Sequence, residues 1–151
     1  CLWFATEAEE AVRHYCATIP NSAIGEVIAR PPEVPGAADS ILMVTFTLAG
    51  RPMLAFNAAP QPGFTNGVSL VVTCADQDEL DRVWDGLLLG GKAQACGWLT
   101  DRYGLSWQVV PEVLPRLMKD GDAAQRGRVM AALMTMVKLD AAALEAAANA
   151  S

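Results

Sequence analysis

The chain has 151 residues, of which 52% are hydrophobic and 19% charged, and its formal net charge is −6 at pH 7. This length is typical of one globular domain, and the acidic balance argues against nucleic acid as a partner, because binding to phosphates relies on basic residues. The longest apolar stretch, Ile41 to Ala49, is far shorter than the roughly 20 residues of a membrane helix. No basic segment opens the chain, so we expect a cytoplasmic protein without membrane contact.

The cysteines and the single histidine limit the metal chemistry that the chain can support. Cys1, Cys16, Cys74 and Cys96 are scattered without a CxxC pair, which favours buried, reduced thiols over disulfides. A structural zinc site needs four Cys or His ligands at short spacings, and His14 is the only histidine. Structural zinc is therefore not expected.

The first part of the chain predicts a strand, an amphipathic helix and three further strands. An apolar run at Leu2 to Phe4 precedes a capping box of Thr6 and Glu9, after which apolar residues recur at helical spacing. Pro20 and Asn21 end the helical pattern. The strand-like runs that follow are Ala23 to Ala29, Ile41 to Leu48 and Pro52 to Asn57.

The same order of elements occurs a second time. The run Val68 to Cys74 leads into a capping box of Asp76 and Glu79, and an amphipathic helix then extends to Gly90. Strands are predicted at Lys92 to Thr100 and at Leu105 to Val110, around the turn Asp101-Arg102-Tyr103-Gly104. We therefore predict two βαβββ modules, at about residues 1–60 and 61–111, in one domain that covers residues 1–111.

The remaining residues, 112–151, predict a helical C-terminal extension of that domain. Helical segments are expected up to Lys119, from Ala123 to Lys138, and in the alanine-rich stretch from Ala141. The stretch from Val129 to Leu139 has more apolar positions than one contact stripe needs. An exposed apolar helix favours aggregation, so we expect this segment to be covered in a homodimer or to fold back on its own chain.

Several motifs along the chain occur together in one known family: Cys1-Leu2-Trp3-Phe4, Glu9-Glu10-Ala11, Tyr15, Pro20-Asn21-Ser22, Leu88-Leu89-Gly90-Gly91, Cys96 to Pro111 and Arg128-Val129-Met130. Together they resemble the PhnB-like branch of the vicinal oxygen chelate superfamily, and the resemblance covers nearly the whole chain. It implies an α+β fold, in which the two βαβββ modules form a curved mixed sheet around a cleft, followed by C-terminal helices. This is the glyoxalase/bleomycin resistance/dioxygenase fold, whose members commonly form dimers.

The resemblance also implies where metal ligands would stand in the cleft. Metal-using members place His and Glu ligands on the first and last strands of each half. Aligned on the turn at Asp101, Gln108 takes the place of the last glutamate and Ser69 that of a histidine. The ligand position on the fourth strand falls on Met53 or Ala55. The remaining ligand position, on the first strand, lies about one residue before Cys1. Neutral and apolar groups are poor ligands for a divalent metal, so no metal is expected.

We therefore expect the cleft to bind a small organic molecule without a metal or cofactor, and whether the chain catalyses a reaction is left open. The ligand-binding residues would be Phe4, Met53, Ala55, Asn57, Ser69 and Gln108. The polar members of this set could instead satisfy buried backbone groups, and Phe4 and Met53 could be plain core. The alternatives are a metal-dependent lyase or dioxygenase of glyoxalase type and a structural or interaction protein with a filled cleft.

Proteins with this pattern are often labelled 3-demethylubiquinone-9 3-methyltransferases. A nucleotide-type cofactor fold would require a glycine-rich turn between a strand and a helix, and no G-x-G occurs in the chain. The sequence therefore does not support that activity.

Overall fold

Each half of the chain contains a four-stranded mixed sheet with one α-helix packed on it, and the predicted βαβββ order is confirmed in both. These observations come from a computed structural model, which describes residues 1–150. The two units are Cys1–Gly63 and Phe64–Ser151, so the C-terminal helices belong to the second unit. No helix within residues 1–150 is both long enough and apolar enough to cross a membrane.

The sheet of the first unit has the strand order β1-β4-β3-β2, with β1 parallel to β4 and the other pairs antiparallel. Residues paired across strands share a face, and the buried face is the one against α1, where Leu2, Val44 and Ala55 lie. The elements are β1 (Leu2–Phe4), α1 (Ala8–Thr18), β2 (Ala23–Ala29), β3 (Ile41–Leu48) and β4 (Arg51–Asn57).

Helix α1 is not capped in the predicted way. The capping box of Thr6 and Glu9 is wrong, because the helix begins at Ala8 and its N-cap, Glu7, makes no side-chain capping bond. Instead the Ala8 N–H donates to Oδ1 of Asn57, at the end of β4, over 2.9 Å. The first turn of α1 is thus completed by a residue 49 positions further along the chain.

The sheet of the second unit repeats this plan, with the order β5-β8-β7-β6 and β5 parallel to β8. Helix α2 packs its buried residues, among them Leu80 and Trp84, against the face that carries Val109 and Trp107. The elements are β5 (Ser69–Cys74), α2 (Gln77–Leu88), β6 (Lys92–Ala93), β7 (Trp98–Thr100), β8 (Ser106–Pro111), α3 (Val113–Asp120), α4 (Ala123–Leu133) and α5 (Ala141–Asn149).

Helix α2 is capped by the two predicted residues, but the second bond of the predicted capping box goes to the residue before the N-cap and not to the N-cap itself. Oδ1 of Asp76 accepts the Glu79 N–H over 2.8 Å, and Oε2 of Glu79 accepts the Ala75 N–H over 2.6 Å. The capping bonds are local, within five residues, which is why the sequence motif identifies them.

One predicted strand and one predicted helix differ from the structure. Lys92 to Thr100 is not one strand, because Cys96 and Gly97 have positive φ angles of 63° and 79° and turn the chain between β6 and β7. The predicted helix Ala123 to Lys138 ends at Leu133. The carbonyls of Met136 and Val137 then accept hydrogen bonds from the N–H groups of Cys96 and Gly97 instead of from a further helical turn.

The apolar segment from Val129 to Leu139 is only partly covered within the second unit. Val129 and Leu139 are buried, whereas Met130, Met134 and Val137 are exposed. Part of the apolar surface of this segment therefore packs against its own unit, and the rest is exposed to solvent.

All four cysteines are free, as expected, but the prediction that they are buried is correct only for Cys74. Cys1 is exposed, and Cys16 and Cys96 are half-buried. Burial and the nearby carboxylates of Glu79 and Asp76 raise the pKa of the Cys74 thiol to about 12.

Candidate functional site

Three of the predicted ligand-binding residues of the first unit lie in its core. Phe4 is 2% exposed, Asn57 is 4% exposed and Ala55 is fully buried, all on the face that α1 covers. Besides accepting from Ala8, Asn57 donates through Nδ2 to the Ile41 carbonyl over 3.0 Å. Met53 pairs with Phe46 on the same face and is half-buried. Phe4 therefore packs in the core, and the Asn57 side chain hydrogen-bonds to backbone groups; both were the alternative interpretations of these residues.

The opposite face of the first sheet carries an aromatic pair that the sequence analysis did not identify. The rings of Trp3 and Phe56, paired across β1 and β4, stack with their centroids 5.4 Å apart. The Trp3 indole N–H donates to the Ala58 carbonyl over 2.6 Å, which fixes the ring while it stays 37% exposed. Such a fixed aromatic surface can stack against a flat apolar group of a ligand.

A shift of one residue in the alignment of β4 explains why the sequence pointed to the helix-covered face and not to this one. Gln108 stands three residues before the end of β8, and the residue three before the end of β4 is Leu54. Leu54 lies between Met53 and Ala55, and side chains alternate between faces along a strand. A shift of one residue therefore moves the predicted position from the helix-covered face to the opposite one.

In the second unit the structure brings the two predicted polar residues into direct contact. Nε2 of Gln108 donates to Oγ of Ser69 over 2.9 Å, and both side chains are half-buried. Gln108 pairs with Val71 on one side and Trp98 on the other, on the face opposite α2. An amide and a hydroxyl thus sit beside an apolar side chain and an indole, a combination typical of pockets for small molecules.

A chain of neutral polar side chains continues along the same face. The buried Ser106 donates from Oγ to Oδ1 of Asn66 over 2.6 Å, Asn66 donates to Oε1 of Gln94 over 3.1 Å, and Gln94 donates to Oγ1 of Thr100 over 2.6 Å. Ser106 and Thr100 stand at period-two positions relative to Gln108 and Trp98, a signal that the sequence offered. Asn66 and Gln94 lie outside the strands, and no local pattern marks them.

The turn before β8 fixes the register of this face. Oδ1 of the buried Asp101 accepts the N–H groups of Tyr103 and Leu105, over 2.9 Å and 3.0 Å. Its Oδ2 accepts the indole N–H of Trp107 over 2.8 Å. With Trp107 held on the helix-covered face, the next residue, Gln108, faces the other way.

The residues at the predicted ligand positions do not fit the divalent metal that the superfamily implies. Gln108 and Ser69 contribute an amide and a hydroxyl that bond to each other, and the counterpart in β4 is Leu54. None of these groups supplies the carboxylate charge or imidazole nitrogen that holds such an ion against water. Within residues 1–150, His, Cys, Asp and Glu side chains form no group of three or more that could hold a metal ion.

A cavity of about 800 Å³ lies elsewhere in the second unit, between the N-terminal ends of α2 and α5 and helix α3. Its charged lining has both signs and includes Asp76, Lys119 and the ion pair of Arg116 with Glu145, which are 3.2 Å apart. None of the predicted ligand-binding residues lines it.

The duplicated βαβββ order and the two mixed sheets define an α+β protein built from two similar units. The family described as 3-demethylubiquinone-9 3-methyltransferase matches residues 1–110. The chain belongs to this PhnB-like family, and the predicted membership and fold class are confirmed.

Solved structures of similar proteins share this fold. A putative 3-demethylubiquinone-9 3-methyltransferase, PhnB protein, from Bacillus cereus is 30% identical over 73% of this chain and 95% of its own, with a TM-score of 0.68. Protein PA1353 from Pseudomonas aeruginosa is 23% identical over 74% of this chain and 93% of its own, with a TM-score of 0.64, and shows the same fold. No curated protein matches the chain.

Proposed function

We propose that the chain binds a small organic molecule on the face of the second sheet opposite α2, through neutral hydrogen-bonding groups and without a metal. The observation that carries this proposal is the contact of Gln108 with Ser69, 2.9 Å long, at positions where metal-using relatives of the superfamily would place ligands. A chain shaped for metal chemistry would be expected to keep a carboxylate or an imidazole there.

The chemistry of the face indicates the class of ligand. An amide and a hydroxyl together offer donors and acceptors without net charge, so they favour a neutral polar group such as a carbonyl or hydroxyl. Val71, 57% exposed, and Trp98 stand beside Gln108 and would contact an apolar or aromatic part of the same molecule. The expected ligand is therefore small, uncharged at the contact with Gln108, and partly apolar.

The test compares two variants that carry the same chemical change. A panel of metabolites and antibiotics is screened for ligands that raise the melting temperature of the wild type, since a ligand of the folded state stabilises it by mass action. Gln108→Glu introduces a charge into the face and should abolish the shift. Gln125→Glu is the matched control and should keep it, because Gln125 occupies the N3 position of the α4 capping box, where glutamate serves equally well.

Two results would refute this proposal. Stoichiometric nickel, zinc or iron in protein purified without chelator would support a metal-dependent lyase or dioxygenase instead. A panel without a hit at high ligand concentration would support a structural or interaction role. We do not extend the methyltransferase activity in the family's description to this chain, because its sequence has no G-x-G turn for a nucleotide-type cofactor.

We also propose that the chain forms a homodimer in the cytoplasm. Met130, Met134 and Val137 form an exposed apolar patch that a second copy would cover, and the four free thiols fit a reducing compartment. Light scattering at micromolar concentration tests the dimer. A mass near 32 kDa, twice the 16.0 kDa of the chain, supports it, and a stable 16.0 kDa species contradicts it.

A further inference from the structure

One row of side chains crosses the second sheet on the face opposite α2. Ser69 of β5 pairs with Ser106 of β8, and Ser106 pairs with Thr100 of β7. Thr100 in turn pairs with Lys92 of the edge strand β6. Residues paired across strands share a face, so three hydroxyl groups and an ammonium group follow one another on the face that carries Gln108.

The hydrogen bonds along this row have a fixed direction. Ser106 is fully buried, so its hydroxyl proton needs an acceptor, which is Oδ1 of Asn66 at 2.6 Å. The Asn66 amide then donates to Gln94, and Nε2 of Gln94 donates to Oγ1 of Thr100 over 2.6 Å. The series of bonds ends at a hydroxyl that accepts, so the proton of the Thr100 hydroxyl stays available for a ligand. The same holds for Ser69, because its oxygen also accepts an amide N–H.

The charge on this face has one sign. In a protein of net charge −6, the strand positions of the described second sheet that share this face carry one charged residue, Lys92, and no carboxylate. Lys92 is exposed and forms no ion pair with a carboxylate of residues 1–150. A cation beside a hydroxyl donor attracts an anionic oxygen. The face therefore favours an anionic acceptor at its β6 edge.

The polar and aromatic groups of this face lie close enough for one small molecule to contact them. Side chains directly opposite each other on neighbouring strands are about 5 Å apart, and diagonal ones about 7 Å. Thr100 stands opposite Lys92, so the two can bind one carboxylate together. Trp98 stands opposite Gln108, and Thr100 lies on the diagonal from Gln108. A phenyl ring with substituents at opposite ends spans that diagonal and can stack on the indole.

We propose that the ligand of this face is an aromatic carboxylic acid, whose carboxylate binds the Thr100 hydroxyl and the Lys92 ammonium group at the edge of the sheet. This inference rests on the proposed function, since the ring would contact Trp98 and the neutral polar group would bind Gln108. The side-chain amides that precede Thr100 in the series of bonds are positioning residues, because they orient its hydroxyl.

The test measures the binding of 4-acetylbenzoate and of 4-acetylbenzamide by isothermal titration calorimetry at low ionic strength. The two probes share the ring and the neutral carbonyl, and only the first carries a charge. The acid should bind at least about tenfold more tightly, because charge-assisted hydrogen bonds are stronger than neutral ones. Lys92→Gln should reduce this preference to about threefold or less. Thr100→Val should weaken both probes at least about threefold, and Thr100→Ser, which keeps the hydroxyl, should bind them as the wild type does.

Lys119→Gln is the matched control, because Lys119 is also exposed and has no ion pair within residues 1–150 but lies on α3. It should keep the preference for the acid. Equal affinity for the two probes, an unchanged preference in Lys92→Gln, or no binding of the acid at millimolar concentration would each overturn the carboxylate inference. In those cases a panel hit that Gln108→Glu abolishes would still support the proposed function. Binding of the acid that depends on Lys92 but survives Gln108→Glu would refute the contact at Gln108 and support the carboxylate site.

Discussion

Asn57 should contribute to the stability of the first unit and not to ligand binding, and replacing it with alanine tests this. The change leaves two polar groups without their partner, the N–H of the fully buried Ala8 and the carbonyl of the half-buried Ile41. An unsatisfied buried group costs about 1–3 kcal/mol, and the Ile41 carbonyl can regain part of its bonding from water. We therefore expect Asn57→Ala to lower the free energy of unfolding by about 2–4 kcal/mol.

Urea unfolding followed by circular dichroism measures this loss as a lower midpoint at an unchanged slope. Asn57→Asp is the informative companion, because its carboxylate can still accept the Ala8 N–H at the helix N-terminus but cannot donate to the Ile41 carbonyl. It should lie between the wild type and Asn57→Ala. A loss below about 0.5 kcal/mol for Asn57→Ala, the range of ordinary surface substitutions, would refute the role of this side chain as a cap.

Three further predictions concern the second unit. The pKa of Cys74 is about 12 in the folded chain and 9.0 ordinarily, so the folded state holds this proton more tightly than the unfolded state. The free energy of unfolding should therefore fall as pH rises from 9.0 towards 12. The same alkaline loss in a Cys74→Ala variant would contradict this. Gly97→Ala should destabilise the chain by about 1–3 kcal/mol in urea, because φ is +79° and a Cβ would stand 2.9 Å from Leu139; an unchanged midpoint would show that the turn adapts. Asp101→Asn should lower the free energy of unfolding by about 1–3 kcal/mol, because the new amide group points an N–H donor at an N–H group that Asp101 now accepts, such as the Trp107 indole. Calorimetry measures this loss, and an unchanged melting temperature would contradict it.

The internal duplication could be predicted because both halves display their patterns locally. The predicted bounds of β1, β2 and β3 agree with the structure, since these runs are short, apolar and limited by turn residues. The face of β4 could not be predicted in this way. Met53, Leu54, Ala55 and Phe56 are all apolar, so no alternation shows which of them face the helix.

The candidate site, too, could be predicted only in part. Gln108 and Ser69 were predicted from the resemblance alone, and the structure places them in contact. Asn66 and Gln94 join the polar chain only through the folding of segments outside the strands, which no sequence period records. The turn at Cys96 was missed because a positive φ at a residue other than glycine has no reliable signal in the sequence.

The different capping of the two helices has a consequence for the order of folding. Helix α2 carries its cap within its own first turn, so it can gain that stabilisation as soon as the segment forms. Helix α1 obtains its cap from the end of β4, and a loop of 49 residues must close before that bond exists. We expect α2 to be structured in the transition state for folding and the first turn of α1 to form late, after β4 has joined the sheet, with φ-values near zero for Asn57 and higher for Asp76.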